Sequence, residues 1–204
     1  MTNVRQAHWQ GVYTTQSENE VSWFQENPDI SFALIRATGV APGSAIVDIG
    51  GGASRLVDRL LEHNFDVTVL DLSDAALSAA RSRIGRNASS VRWIVADVTT
   101  WDAPYQFDVW HDRAAFHFLT EEADRAAYVS RLTKALRAGG HAIVGTFALD
   151  GPERCSGLPI MRYDALTLSE AVGDRFELVE TKSDVHRTPL GSEQRFQFSR
   201  FQAK

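Results

Sequence analysis

A cluster of glycines and two later acids stand at spacings that suit the binding of a nucleoside. The run Val47-Asp-Ile-Gly-Gly-Gly-Ala-Ser54 follows an apolar stretch and opens a helical pattern. Glycines in such a turn let the backbone approach a ligand closely, where a Cβ would collide. Asp71 ends the next apolar run, about twenty residues on, where a carboxylate can accept both hydroxyls of a ribose. Asp97 ends a third run, where an adenine amino group can be read. Each feature alone has a plain explanation, as a tight turn or a helix cap. Three such placements on three successive strand ends argue for a ligand that carries adenosine.

A second constellation lies further on. Trp110-His-Asp-Arg-Ala-Ala-Phe-His117 is unusually polar for the end of a strand. Asp112 and Arg113 are expected to point into the crevice, as candidates for catalysis and for substrate contact. His117 is a candidate base, since an ordinary imidazole titrates at about 6.5. The alternatives are an Asp112–Arg113 pair that fixes the loop and a core histidine at 117. The stretch from Phe147 to Pro159 reads as a long polar loop, a common seat of function. Arg154, Arg162 and Tyr163 are candidates to read a polar or acidic substrate. Cys155 reads as a buried structural cysteine. No His, Cys or acid spacing suggests a metal site.

These residues need elements to position them. Buried strands are expected at 45–49, 66–70, 91–95, 107–110 and 141–147, with helices at 54–63, 74–84 and 121–137 between them. Ser73 is a plausible N-cap, and Gly139-Gly140 is expected to end the long helix. Such alternation means a parallel sheet covered on both faces. Residues 165–172 read as a helix. The segments 176–181 and 194–201 read as strands with no helix between them, so they should form an antiparallel hairpin at one edge. The expected architecture is a doubly wound, mixed seven-stranded α/β sheet in the order 3-2-1-4-5-7-6, with helices on both faces and the last strand antiparallel. Residues 1–40 are aromatic-rich, with Trp9, Tyr13, Trp23 and Phe24, and read as a helical segment that lids a domain over 41–204.

Bulk properties narrow the class. At 204 residues the chain is long enough for one domain with a real core. The formal net charge of −5 disfavours a nucleic-acid partner. A single cysteine permits no intramolecular disulfide and fits a reducing compartment. No apolar run approaches a membrane span, and the first ten residues show no signal-peptide core. The expectation is a soluble cytoplasmic protein. Arg55 stands where a dinucleotide fingerprint wants its third glycine, which argues against NAD or FAD. Tyr128-x-x-x-Leu132 also lacks the Tyr-x-x-x-Lys pair of short-chain reductases.

Over about residues 40–204 the chain resembles a class I S-adenosylmethionine-dependent methyltransferase. Asp48-x-Gly50-x-Gly52-x-Ser54 is similar to that family's first motif, with Ser54 in place of its third glycine. Asp71 with Leu72 matches the ribose-binding acid and its neighbour, and Asp97 with Val98 the adenine-side pair. Arg137-Ala-Gly139-Gly140 matches the turn before the fifth strand, with Ala138 where proline is usual. The resemblance implies S-adenosylmethionine as cofactor and S-adenosylhomocysteine as product. The methionine end would lie near Gly50 and Gly52, with Asp112 near its amino group, and Tyr13 and Trp23 would lid it. The implied activity is methyl transfer to a small molecule. A protein-lysine acceptor and a non-catalytic cofactor-binding module remain as alternatives. No Asn/Asp-Pro-Pro-Tyr/Phe or Pro-Cys motif follows the fourth strand, which disfavours base-amino and cytosine-carbon chemistry.

Overall fold

The centre of the molecule is built from short β-branched and aromatic runs that are buried on both faces. The computed structural model describes residues 2–204; Met1, the first residue of the expected N-terminal segment, lies outside them. The main strands are β1 (Ala45–Ile49), β2 (Asp66–Asp71), β3 (Val91–Val95), β4 (Phe107–Arg113), β5 (Leu136–Phe147), β6 (Phe176–Arg187) and β7 (Glu193–Ala203). They form one sheet in the order 3-2-1-4-5-7-6. β1 to β5 are parallel, and β7 is antiparallel to both β5 and β6. Strand order therefore reverses between β1 and β4, which opens a crevice at their carboxyl ends.

Helices cover both faces: α1 (Thr2–Thr15), α2 (Asp29–Ala37), α3 (Leu56–Glu62), α4 (Asp74–Ile84), α5 (Glu122–Ala135) and α6 (Ala165–Val172). On one face Val47, Ile49, Trp110 and Val144 pack against Tyr128 and Leu132 of α5 and Leu168 of α6. On the other, Ile46, Val109 and Ile143 pack against α2, α3 and α4. Ser73 caps α4 by accepting a hydrogen bond from the Ala76 amide at 3.1 Å. Among the described residues no helix is long and apolar enough to cross a membrane.

Several elements differ from expectation in ways that matter for the site. β4 runs three residues past Trp110, to Arg113, so the polar residues there belong to a strand. α5 ends at Ala135, because Leu136 is already extended (φ −92°, ψ 137°) and pairs with Phe107. The glycine pair then lies inside β5, at an irregular stretch of its pairing with β4. The loop after β5 is not structureless: Arg154–Cys155 and Leu158–Pro159 form a small hairpin. β6 extends to Arg187, six residues beyond the expected end.

Candidate functional site

Strand alternation decides which side chains of β4 can reach the crevice, because successive residues point to opposite faces. Asp48 of β1 is paired in register with His111 of β4. His111 Nδ1 lies 2.7 Å from Asp48 Oδ1, with both side chains buried. A carboxylate only accepts, so the proton sits on Nδ1. Nε2 of His111 is buried without a partner.

Asp112 points the other way, toward α5, and the expectation that it faces the crevice is corrected. Its Oδ2 accepts from the Tyr128 hydroxyl at 2.8 Å, and its Oδ1 from the Ala115 amide at 2.8 Å. The Phe116 amide adds a further bond at 3.0 Å. Burial raises its pKa to about 6, while these bonds oppose the rise. Asp112 thus ties off the turn after β4 and has no oxygen in a cleft.

The expected base His117 is also corrected. Its ring is buried against Phe118 and Phe147, and Nδ1 accepts the Phe147 amide at 3.4 Å. Burial first, and then the positive charge of Arg113, push its pKa down to about 3. It would therefore stay neutral and hold a proton poorly at neutral pH. Two substrate candidates fall away from the site as well. Arg154 is exposed and donates to the Gly157 carbonyl. Tyr163 is buried, with its ring 5.5 Å from that of Phe116.

Arg162 likewise stays in its own loop, donating to the Gly151 carbonyl and to Glu153, while most of the expected cofactor residues gather round two clefts that meet. One, of about 550 Å³, is lined by Asp48, Gly50, Gly51, Phe24 and His111 among others. The second, of about 810 Å³, is lined by Asp71, Leu72, Asp97, Val98, Trp9 and Cys155 among others. Tyr13, Trp23, Gly50 and Arg113 line both. Asp71 accepts from the Ser73 amide at 2.8 Å through Oδ1. Burial, the largest influence, lifts its pKa to about 7, and Asp48 adds to the rise. Asp97 uses Oδ1 for the Thr99 amide and hydroxyl, at 2.9 and 2.7 Å. The glycine turn is shaped for close approach. Gly50 has φ +65°, and a Cβ there would stand 2.8 Å from that of Ala115. A Cβ on Gly52 (φ +45°) would meet Asp71 Oδ2 at 3.1 Å and the Tyr13 hydroxyl at 3.2 Å.

Arg113 stands where the clefts meet. Its Nη1 donates to the Trp23 carbonyl at 3.1 Å, and the guanidinium lies 4.5 Å from the centre of the Phe196 ring. Burial pulls its pKa down to about 10 against the opposing field of Asp184.

The N-terminal segment closes round this rim. Trp23 Nε1 donates to the Tyr13 hydroxyl at 2.8 Å, and Trp9 packs edge-on against Trp23 and Phe118. Gln10 Oε1 accepts from the Ser73 hydroxyl and the Ala75 amide. Glu18 pairs with Arg83 at 2.6 Å, and Arg83 also donates to the carbonyls of Ala53 and Ser54, at 2.8 and 2.9 Å. Arg55 pairs with Glu18 and Glu26 and lies over the Phe24 ring.

Sequence reasoning did not single out His111, Phe118 or Cys155 as lining the site. Strict alternation along β4 from buried Trp110 would have exposed the first. The other two lie on a single helical turn and a two-residue strand, both too short to give a periodic signal.

Strand order, antiparallel β7 and a glycine turn facing two strand-end acids define a class I methyltransferase fold. Residues 46–140, just under half of the chain, match the methyltransferase domain family. Nodulation protein S of Rhizobium tropici is 25% identical over 113 residues, covering 55% of this chain and 47% of that protein. The chain thus spans about half the length of the curated relatives it matches. A solved structure from work on converting a disulfide bond into a thioacetal group during echinomycin biosynthesis superposes with a TM-score of 0.77. It is 22% identical and covers 98% of this chain and 92% of its own. The N-methyltransferase NodS from Bradyrhizobium japonicum WM9, in complex with S-adenosyl-L-homocysteine, gives 0.73 at 19% identity, covering 95% of this chain and 97% of its own.

Proposed function

We propose that the chain binds S-adenosylmethionine across the joined clefts and transfers its methyl group to a small molecule. The observation that carries this reading is the pair of buried carboxylates, Asp71 and Asp97, facing one cleft with Gly50. When bound, S-adenosylmethionine supplies a methyl group on a positively charged sulfur. Asp71 is suited to accept the ribose hydroxyls, and Asp97 to accept from the adenine amino group through its remaining oxygen. Gly52, which has no side chain to crowd Asp71 and the Tyr13 hydroxyl, leaves both groups in place beside the cleft. Asp48, Gly50 and Gly51 line the neighbouring cleft, which suits the amino-acid end.

In this reading residues 1–40 act as a lid on the domain over 41–204. Trp9, Tyr13 and Trp23 exclude water and hold the reactants in line, which supplies much of the rate in a displacement of this kind. A site roofed by its own chain favours a small acceptor over a protein side chain. The fold shared with a structure that holds S-adenosyl-L-homocysteine supports the cofactor.

Calorimetric titration with S-adenosylhomocysteine, S-adenosylmethionine and NADH in parallel tests the proposal. The expected outcome is binding of the first two and not of NADH. Binding of NADH alone would overturn the function and leave the fold standing.

A further inference from the structure

Arg113 is unfavourably placed for a residue that serves the fold alone. Its Nε and Nη2 are sealed from solvent and have no partner. Among the described residues no carboxylate forms an ion pair with it; Asp184 on β6 and Asp48 on β1 act only through their fields. A cation whose sealed donors have no counter-ion is destabilising, like any unpaired internal charge. The ring of Phe196 beneath it would pack an apolar side chain as well. What distinguishes the position is that Arg113 lines both clefts at their junction, beside Gly50. His111, on the same face, presents another nitrogen without a partner.

On the function proposed above, on which this step rests, the positively charged sulfur belongs at that junction. Two cations there repel, and an anion set between them relieves both. We infer that the methyl acceptor enters as an anion, an oxyanion or thiolate of a small organic acid, held against Arg113. The charge balance follows. A lone pair of the acceptor forms the bond to the methyl carbon while the carbon–sulfur bond breaks, and that electron pair stays on sulfur. The acceptor atom and the sulfur both end neutral, and no proton has to leave. This agrees with the placement of His117, the expected base, and of Asp112, the other expected catalytic residue, which are both turned into the core. A neutral amine would instead become a cation beside the guanidinium.

The full chain, saturated with S-adenosylhomocysteine, is titrated calorimetrically with benzoate, thiophenolate and benzylamine. The two acids are expected to bind and benzylamine not. Arg113→Gln should weaken both acids by about tenfold or more, as loss of a charge-assisted contact does, and Arg113→Lys should recover part. The wild-type comparison stands even if a variant folds poorly. Benzylamine binding as well as the acids, or neither acid binding, overturns the inference. S-adenosylhomocysteine and 5′-methylthioadenosine, which lacks the amino-acid end, separate the other source of a carboxylate. If Arg113→Gln weakens only the former, Arg113 holds the cofactor's own carboxylate and the acceptor assignment falls. Failure of wild type to bind S-adenosylhomocysteine at all would sink the methyltransferase reading itself, and this inference with it.

Discussion

Asp71 gives the site its clearest pH signature. Its carboxyl titrates at about 7 because burial disfavours the charge, with Asp48 adding to the effect. Ribose hydroxyls donate best to the ionised form. Affinity for S-adenosylhomocysteine should therefore rise between about pH 6 and 8, by roughly tenfold, as the competent fraction grows. Asp71→Asn should flatten the profile; a steep slope retained in that variant would place the titration elsewhere. The sign for stability is the opposite. A carboxyl whose folded pKa lies above its unfolded value favours the folded state most at acid pH, and that contribution is lost as pH rises toward about 7. The thermal shift produced by the ligand should widen over the same window. Tyr128 makes a second residue-scale case. It accepts from Trp110 Nε1 and donates to Asp112, each at 2.8 Å, in the buried core. Tyr128→Phe leaves Trp110 Nε1 without its partner and Asp112 Oδ2 with only the Phe116 amide, and should lower unfolding stability by about 1–3 kcal/mol in urea, with cofactor affinity little changed. The acids at 48, 71 and 97 were legible in the sequence because each stands at or just past the end of a strand marked by its apolar run. Asp112 was misplaced because its face depends on how far β4 continues, and polar residues at a strand end hide that continuation.

The decisive element is the glycine turn together with the chain that clamps it. Arg83 of α4 holds the Ala53 and Ser54 carbonyls of the turn and reaches Asp58 on α3 and Glu18 on the N-terminal segment. One guanidinium thus couples turn, helix and roof. Glu18→Gln should speed dissociation of S-adenosylhomocysteine by about two- to fivefold, the effect of losing roughly 0.5–1 kcal/mol from a partly exposed ion pair. Added salt should raise the wild-type rate toward that of the variant. Stopped-flow displacement reads both, and an unchanged rate in the variant would remove Glu18 from the gate. The turn itself was plain from its glycines. The clamp was not, since Glu18 and Arg83 are 65 residues apart and read as ordinary surface charges. The short α5 was hidden for a related reason: Leu136 continues the helical spacing, and only its pairing with Phe107 in the sheet draws it out of the helix.

At the scale of the molecule, the N-terminal segment is fastened to the rim from several sides. Arg5 pairs with Asp124 on α5, Gln10 meets the start of α4, and His186 of β6 lies 2.8 Å from the Ser22 carbonyl. His8 lies 3.2 Å from the Ser156 hydroxyl on the small hairpin. These contacts are polar and partly buried, and each contributes only modestly alone. The sheet beneath is held by continuous apolar packing on both faces. Opening of the segment should therefore need far less free energy than unfolding of the sheet. Amide exchange in the ligand-free protein should be fast over residues 2–26 and slow over β1, β4 and β5. S-adenosylhomocysteine should slow exchange in the segment far more than in the strands, because a ligand in the proposed cleft would touch Tyr13 and Trp23, which line it, and hold the segment down. Equal protection of segment and sheet before the ligand is added would show a fixed roof. The cofactor would then have to enter through an opening between closed walls, and the gating role of Glu18 would fall with the lid.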